Sequence, residues 1–153
     1  MYDECYDSFK VQNHNSSEFN LVLFVGRLEQ YKGIEFLVDG MRSVWNVFPK
    51  TYLVLIGKVT PYVSVLKKLV GSEKRILVLP EASDETRIAA LRSSNLLVMR
   101  SIYESFGGVF LEAWMAGKPV VGCGTPSVKC VVDDGINGLL LKTVSSREIA
   151  EKI

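Results

Sequence analysis

Apolar residues occur along this chain in short uninterrupted runs that are separated by longer amphipathic segments. Six such runs predict strands, at Leu21–Val25, Tyr52–Ile56, Ile76–Leu79, Leu96–Met99, Val120–Gly122 and Gly138–Leu141. Uninterrupted apolar runs, unlike strictly alternating ones, are typical of strands that are buried on both faces. We therefore predict an α/β fold in which helices cover both faces of a parallel sheet and the crossovers are right-handed.

The segments between these runs carry helical spacing and helix-boundary signals. The clearest helix begins at Gly33 and ends before Pro49, with an apolar face made of Ile34, Leu37, Val38, Met41, Trp45 and Phe48. Further helices are predicted at Pro61–Val70, from Ser83 to about Ser93, after Gly107–Gly108, at Val128–Val132 and from Ser145 or Ser146. Ser83 is expected to cap its helix, and Gly117 to close the fourth helix in a left-handed turn.

The first 20 residues differ in character from the rest. They are polar, rich in Asn and Ser and without hydrophobic period, so we predict an arm or interdomain linker at 1–20 and one domain at 21–153. The helical pattern at Ile153 has no cap, which favours a domain truncated at its C-terminus. A fragment, a truncated gene product and one subunit of a split enzyme all fit that pattern.

Composition and cysteine usage favour a cytoplasmic globular domain. Hydrophobic residues make up 48% and charged residues 23% of the chain, which is ordinary for such a domain. No apolar run approaches the roughly 20 residues of a membrane span, and the acidic start lacks the layout of a signal peptide. Cys5, Cys123 and Cys130 show no metal-ligand spacing, so free thiols in a reducing compartment are expected.

Charge is distributed unevenly along the chain. The net charge is +1, but residues 1–20 carry four acids and one base, which leaves 17 bases against 13 acids in the remainder. This excess suits a small ligand that bears phosphate and does not require a nucleic acid. The densest basic cluster, Lys67, Lys68, Lys74 and Arg75, fits either a peripheral contact with the inner membrane face or a solvated helix face, and the second is favoured.

Candidate chemistry lies at the two-glycine start of the fourth helix and after the first strand. Glu104 precedes Gly107–Gly108 on a loop, and Glu112 follows inside the helix. Backbone amides at a helix start bind anions such as phosphate, and carboxylates accept hydrogen bonds from sugar hydroxyls. Arg27 and Lys32 follow the first strand, at the sheet edge where α/β proteins bind ligands.

Three segments together resemble one enzyme family. Glu104 to Glu112, followed by Ala-Trp-Met-Ala-Gly-Lys-Pro-Val-Val, is similar to the Glu-x7-Glu signature of retaining nucleotide-sugar glycosyltransferases with the GT-B fold. The segment Phe24–Gly33 resembles the family's Gly-Arg-Leu-x3-Lys-Gly element, and Asp134–Leu140 resembles its late Asp-Gly-x-x-Gly turn. The resemblance implies a Rossmann-like donor-binding domain, one half of a GT-B fold, whose N-terminal acceptor-binding domain or partner subunit is not in this sequence.

The resemblance also implies a role for each candidate residue. Arg27 and Lys32 correspond to the pair that meets the diphosphate, and Glu104 to the glutamate beside the donor sugar, so these three are the candidate catalytic residues. Glu112 corresponds to the glutamate that binds ribose hydroxyls. The remaining donor-binding candidates are Gly26, Gly57, Phe106, Gly107 and Gly108. The implied donor substrate is a nucleotide-diphosphate sugar, and no metal cofactor is expected because the chain contains no Asp-x-Asp.

Two alternatives stay open at this point. Arg27 and Lys32 are also compatible with solvated surface bases, and Glu104 and Glu112 with loop and helix charges. The chain also departs from the family, since Gly57 is not followed by the usual Gly-x-Gly spacing and Arg100 precedes Ser101 where proline is common. Cys130 occupies the place of a glutamate that orders the sugar-phosphate loop in relatives. A degenerate, non-catalytic nucleotide-sugar-binding or interaction module is therefore the second hypothesis.

Overall fold

A parallel sheet of six strands forms the centre of the computed structural model, which describes residues 19–101, 107–143 and 145–153. The strands within these ranges are β1 (Asn20–Val25), β2 (Thr51–Gly57), β3 (Ile76–Pro80), β4 (Leu96–Met99), β5 (Val120–Cys123) and β6 (Leu139–Leu141). Their order across the sheet is β3-β2-β1-β4-β5-β6. All six predicted runs are therefore strands, and the predicted Rossmann-like parallel sheet is confirmed.

Helices connect the strands in the described ranges. They are α1 (Ile34–Val47), α2 (Tyr62–Val70), α3 (Asp84–Ser93), α4 (Gly108–Met115), α5 (Pro126–Lys129) and α6 (Ser146–Lys152), and a 3-10 turn spans Gln30–Lys32. The chain builds outwards from β1 through β2 to β3, then crosses back along α3 and builds the other half from β4 to β6. The change of direction falls between β1 and β4, where Val22 pairs with Leu96. Such a switch point opens a crevice at the carboxyl ends of the two strands.

The core lies between the sheet and the helices on its two faces. Four consecutive β1 residues, Leu21 to Phe24, are all buried, as is the Leu53–Ile56 stretch of β2. This burial on both faces explains why these strands read as continuous apolar runs. No helix in the described residues is long and apolar enough to cross a bilayer.

Helix boundaries agree with the sequence in some places and differ in others. Ser83 accepts a hydrogen bond from the Thr86 amide, and Gly117 has φ 70°, so both predicted boundary roles are confirmed. Phe48 was expected on the buried face of α1, but it lies at the helix end and is 53% exposed, because the chain leaves helical geometry there. Pro61 was expected to be the first helical residue of α2 and instead immediately precedes it.

The short helix that was expected at Val128–Val132 begins earlier, at Pro126. Thr125 accepts a hydrogen bond from the Val128 amide at 3.4 Å, and Pro126 takes the first helical position. Proline is favoured there because its missing amide would have no partner in the helix. The apolar residues alone could not place this start, since the cap and the proline define it.

Candidate functional site

The loops that follow β1 and β4 lie side by side at the carboxyl edge of the sheet. Gly26, Arg27 and Lys32 belong to the loop after β1, and Gly107 and Gly108 end the loop after β4. Glu104 and Phe106, which the sequence assigns to the same loop, lie outside the described residues. The parallel pairing of β1 with β4 fixes both loops at one edge. Most of the candidate residues that the structure describes therefore lie in the segments that follow β1 and β4, beside the crevice between these two strands.

Gly26 and Gly57 bring the ends of β1 and β2 into close backbone contact. The Gly26 amide donates to the carbonyl oxygen of Ile56 at 2.9 Å. A Cβ added at Gly57 would lie 1.6 Å from the Gly26 carbonyl oxygen, which no side chain can tolerate. Gly57 is thus required for the approach of the two strand ends. The missing side chain of Gly57 allows the loop after β1 to lie close to the end of β2.

Arg27 and Lys32 occupy very different environments. Arg27 has a side chain that is 63% exposed, and its Nη2 lies 2.5 Å from Oε1 of Glu29. Lys32 ends the 3-10 turn, is only 7% exposed and has its Nζ 5.3 Å from the ring centroid of Tyr31. A buried ammonium is uncommon, since lysine is almost always at the surface. The interpretation of both residues as solvated surface bases therefore fails for Lys32.

The loop after β1 is held from the side by the start of α2. The Thr60 hydroxyl donates to the Leu28 carbonyl oxygen. The Tyr62 hydroxyl donates to Oε2 of Glu35, in the first turn of α1, at 3.0 Å. Burial, with a further contribution from Glu35, raises the pKa of Tyr62 to about 12, so the phenol stays protonated and remains a donor at neutral pH. These contacts support the position of the loop and of the α1 start.

The two helices that begin at the crevice lack side-chain caps. α1 follows Gly33, with φ 63°, and α4 follows Gly107, with φ 68°; neither N-terminus is capped by a side chain. Ser83, Thr125 and Ser145 cap α3, α5 and α6, while α2, which follows Pro61, also has no side-chain cap. Amides in the first turn of a helix need an outside partner. At α1 and α4 that partner can be a ligand oxygen, because the N-cap residues Gly33 and Gly107 have no side chain to cap the helix.

Glu112 lies in the second turn of α4 and is engaged by a residue that the sequence did not single out. Its Oε2 accepts a close ion-paired hydrogen bond from Nη1 of Arg87, in the first turn of α3. The other terminal nitrogen of Arg87, Nη2, donates to Oδ1 of Asp84 at 3.2 Å. Glu112 is thus a helix charge that is 43% exposed, as the alternative interpretation expects, and it is ion-paired. The two residues are 25 positions apart in sequence, and no local pattern pairs them.

Arg100 is a second arginine whose importance the sequence did not reveal. It follows β4, is 8% exposed, and has its guanidinium carbon 4.3 Å from the ring centroid of Phe36. A Cβ added at Gly33 would lie 2.0 Å from Nη1 of Arg100, so the arginine lies directly against the glycine that starts α1. Burial lowers the pKa of the Arg100 guanidinium, while Cys123 and Glu35 act in the opposite direction.

Glu81 connects the loops that follow β2 and β3. Its amide donates to the Gly57 carbonyl oxygen at 2.8 Å, and its Oε1 accepts from the Val59 amide at 2.8 Å. Its φ of 58° places it in the left-handed region, which is costly for a residue with a side chain. These two hydrogen bonds, one from the amide and one to the carboxylate of Glu81, hold this conformation in place beside the strand ends.

The late Asp-Gly-x-x-Gly turn lies at the opposite, amino edge of the sheet. Asp134 Oδ1 accepts from the Leu140 amide at 2.8 Å, and the Gly135 amide donates to the Gly138 carbonyl oxygen at 2.8 Å. The turn precedes β6, so it is remote from the carboxyl edge where ligands bind in this type of sheet. Cys130 is exposed at the end of α5, and its thiol donates to the Pro126 carbonyl oxygen at 3.3 Å.

The sequence matches the family model described as glycosyl transferases group 1 over residues 7–153. The match covers nearly the whole chain, and the fold agrees with it. The chain belongs to the group 1 glycosyl transferases, which have the GT-B fold and use nucleotide-sugar donors. Within the described residues no cluster of three or more His, Cys, Asp or Glu side chains is arranged to hold a metal ion. Metal independence remains a prediction.

Relatives with curated names are about a third identical. The D-inositol 3-phosphate glycosyltransferase of Corynebacterium efficiens is 33% identical over 130 residues, 79% of this chain and 30% of that protein. The phosphatidyl-myo-inositol mannosyltransferase of Mycobacterium leprae is 31% identical over 134 residues, 86% of this chain and 36% of that protein. This chain thus spans roughly a third of the length of these relatives.

Solved structures show the same architecture. The C-terminal domain of the group 1 glycosyl transferase LpcC from Francisella tularensis superposes with a TM-score of 0.77 at 25% identity, covering 92% of this chain and 78% of that one. HepE of Anabaena, crystallised with UDP-glucose, superposes with a TM-score of 0.79 at 25% identity, covering 97% of this chain and 41% of that one. The predicted GT-B family and Rossmann-like fold are confirmed, and a C-terminal domain fits the match, while the Glu-x7-Glu subtype remains a prediction.

Proposed function

We propose that this chain binds the nucleotide-diphosphate sugar donor of a retaining, metal-independent glycosyltransferase in the crevice between β1 and β4. The observation that carries the proposal is the pair of helix starts at Gly33 and Gly107, which flank the switch point without side-chain caps. Two helix starts with glycine N-caps at one edge suit a diphosphate, because each helix start favours an anion.

The charge distribution of the loop after β1 supports a role in leaving-group stabilisation. Glycosyl transfer releases a nucleoside diphosphate, so negative charge grows on the departing phosphate oxygen. Lys32, which is buried, gives a fixed positive charge beside the start of α1, and the exposed Arg27 gives a mobile one. In this proposal the two cations take the place of a metal ion. Arg27 exchanges Glu29 for phosphate when the donor binds.

The two glutamates would divide the rest of the donor between them. Glu112 accepts hydrogen bonds from the ribose hydroxyls, and Glu104 lies beside the donor sugar, where its charge stabilises the cation-like transition state. Phe106, Gly107 and Gly108 provide backbone groups to the sugar and phosphate. Gly57, together with the end of β3, borders the position of the base.

Transfer would require an acceptor-binding domain in the same protein or in a partner subunit. The named relatives are about three times as long as the matched region, which supports such a domain. Donor and acceptor must be held in reacting geometry, and one domain provides only one wall of the cleft. The basic cluster gives little support to a peripheral membrane contact, since Arg75 is held by Glu73 and lies 4.0 Å from the Trp45 ring centroid.

Calorimetric titration with UDP, GDP and ADP, in EDTA, tests donor binding directly. UDP comes first because the HepE structure contains UDP-glucose. At least one nucleotide should bind with metal removed. Arg27→Gln and Lys32→Met should each lower the affinity for the nucleoside diphosphate by roughly tenfold, as expected for a lost charge-assisted hydrogen bond. The affinity for the matching nucleoside should stay nearly unchanged. A strict requirement for magnesium, or equal losses for both ligands, would contradict the proposal.

The catalytic half of the proposal is tested by adding an acceptor-binding domain, fused or in trans. Transfer should then occur with retained anomeric configuration. Glu104→Gln should lower kcat more than donor affinity, because its charge matters most as the sugar becomes cationic. Inverted product, or robust transfer by residues 1–153 alone, would overturn the half-enzyme model.

Cys130 supports the second candidate, a binding module without catalysis. Its thiol is exposed, and it stands where the resemblance to the family implies a glutamate that orders the sugar-phosphate loop. Cys130→Glu in the reconstituted protein should raise donor-sugar affinity and turnover if the domain is catalytic. If no combination transfers sugar while the nucleotide still binds, the binding module is the better description.

A further inference from the structure

Arg87 forms the direct side-chain contact to Glu112 within the described part of the chain, and it joins two helices that are remote in sequence. α3 leads into β4 and α4 leads out of it, so both helices begin at the carboxyl edge. Arg87 reaches from the first turn of α3 to Glu112 in the second turn of α4. The contact therefore joins the starts of two helices that flank β4 in sequence.

The geometry of Arg87 is fixed at two points. Nη1 donates to Oε2 of Glu112, while Nη2 donates to Oδ1 of Asp84 on its own helix at 3.2 Å. The planar guanidinium thus engages two carboxylates with two different nitrogens, which a lysine ammonium on a flexible stem does less specifically. Arg87 is 28% exposed and Glu112 43% exposed. Ion pairs this accessible contribute little to stability, so folding alone is a weak reason for the arrangement.

Glu112 keeps acceptor capacity after this contact. A carboxylate has two oxygens with about four lone-pair positions, and Arg87 uses one oxygen. Across the described ranges, the Glu112 carboxylate has no further hydrogen-bond partner. Oε1 and the second lone pair of Oε2 remain for two hydroxyl donors. A pair of adjacent hydroxyls, as on a ribose, matches that capacity.

We infer that Arg87 is a positioning residue, which holds the Glu112 carboxylate in the orientation that receives the ribose hydroxyls of the donor. This inference rests on the proposed donor-binding function and assigns to it a residue on α3. Restricting a side chain before binding lowers the ordering cost when the ligand arrives. A preset acceptor also penalises a ligand that lacks the hydroxyl, because the acceptor is then left without its partner. Arg87 therefore contributes to discrimination between ribose and deoxyribose.

The test compares UDP, GDP and ADP with their 2′,3′-dideoxy analogues by calorimetric titration. The comparison uses the nucleotide that binds the wild-type chain best. Arg87→Leu should lower the affinity for this ribonucleotide by roughly three- to tenfold, the range expected for losing one preordered side chain. The affinity for the dideoxy analogue should change by about twofold or less, since this ligand makes no hydroxyl contact with Glu112. Arg147→Leu is the matched control, because it removes an arginine whose ion pair with Glu151 lies on α6.

Two further variants separate positioning from charge. Arg87→Lys keeps the charge but loses the fork, so it should recover less than half of the lost ribose selectivity. Arg87→Leu combined with Glu112→Gln should be no weaker than Glu112→Gln alone, because Arg87 acts only through Glu112. The melting temperature of each variant establishes that the fold is intact.

The possible contrary results are distinct. If Arg87→Leu lowers the affinity for both ligands equally, the inference about Arg87 is wrong. It is also wrong if the loss of affinity adds to that of Glu112→Gln. In both cases the proposed donor site itself is unaffected. If Arg87→Leu strengthens ribonucleotide binding, Arg87 competes with ribose for Glu112, and the inference is again wrong. If wild-type chain binds none of the three nucleotides, the proposed function fails and this inference fails with it.

Discussion

The two edges of the sheet both carry family motif residues, yet their hydrogen bonds are arranged in opposite ways. At the amino edge, the Asp134 turn is closed by its own groups, and the indole of Trp114 donates to the Asn137 carbonyl oxygen at 2.9 Å. At the carboxyl edge, α1 and α4 begin at Gly33 and Gly107 without a capping side chain. The amino-edge turn completes its contacts internally, whereas these two helix starts at the carboxyl edge have no capping side chain at their N-cap residue.

The contrast teaches that similarity to a motif does not define the role of its residues. The Asp134 turn and the Glu104–Glu112 segment resemble motifs of the same family, but the fold puts the turn and the start of α4 at opposite ends of the strands. Ligands bind at the carboxyl edge of such sheets, so the turn is expected to stabilise and the loops to bind. Substitutions at the two edges should separate these properties.

The largest effect is expected for Gly57→Ala at the carboxyl edge. The new Cβ would lie 1.6 Å from the Gly26 carbonyl oxygen, so the ends of β1 and β2 must separate. Overpacking against backbone should cost about 3 kcal/mol or more of the free energy of unfolding, measured by urea denaturation. Nucleotide affinity should also fall, because the loop that carries Arg27 and Lys32 moves with Gly26.

Gly135→Ala is the matched control at the amino edge. Its φ is 77°, and nothing lies within 4 Å of the added Cβ, so only the left-handed backbone is strained. We expect a loss of about 1–2 kcal/mol and unchanged nucleotide affinity. Equal losses of stability for the two variants would show that the contact between Gly26 and Gly57 is not as close as described.

Asp134→Ala should give the next largest effect and leave binding intact. The carboxylate accepts from the Leu140 amide at 2.8 Å, and its removal leaves that β6 amide without its side-chain acceptor. We expect the free energy of unfolding to fall by about 1–2 kcal/mol. The neighbouring Asp133→Ala serves as control, since Asp133 contributes its backbone amide to Asn137. A loss of nucleotide affinity in Asp134→Ala would mean that the two edges are coupled.

The strands were predictable because both of their faces are buried, which leaves an uninterrupted apolar signal such as Leu21–Val25. The uncapped helix starts were also visible, since Gly33 and the pair Gly107–Gly108 are local signals. Phe48 was misassigned because helical spacing does not show where a chain leaves helical geometry. The sequence therefore predicted a feature correctly where neighbouring residues determine it, and failed where they do not.

Arg87 and Arg100 were missed for a different reason. Their contacts, to Glu112 and to Gly33, depend on how separate loops and helices come together at one sheet edge. An arginine in a helical first turn looks like any surface charge until its partner is placed. The one sequence signal was at Arg100, where the chain departs from the family's proline, and that signal gave no partner.

Gly108→Ala should separate binding from stability at the carboxyl edge. Nothing lies within 4 Å of the added Cβ, and Gly108 is the first residue of α4. Alanine restricts the unfolded chain and favours the helix, so the free energy of unfolding should be unchanged or rise by about 0.5–1 kcal/mol. Diphosphate affinity should fall by roughly fivefold, about 1 kcal/mol, because a methyl group occupies space at the amides that meet the ligand. Unchanged affinity would place the ligand elsewhere.

The smallest effect should be the acid dependence that Glu73 contributes at the amino edge, just before β3. Its carboxylate accepts from Nε of Arg75 at 2.8 Å and from Nη2 at 2.7 Å. The Arg75 side chain thereby lowers the pKa of Glu73 to about 2, from an ordinary value of 4.5. A carboxyl whose pKa is lower in the folded state stabilises above the ordinary pKa, and that stabilisation is lost as the pH falls from about 4.5 towards 2.

Urea denaturation of the wild-type protein and Glu73→Gln over this pH range measures that contribution. The pair is partly exposed, so the difference at neutral pH should be below about 1 kcal/mol. It should shrink as the pH falls below about 4.5 and vanish only below about pH 2, where the wild-type carboxyl is protonated and resembles the amide. Other carboxyl groups titrate in both proteins and cancel in the difference. A difference that stays constant with pH would assign the effect of Glu73 to packing, and nucleotide affinity at neutral pH should be the same in both proteins.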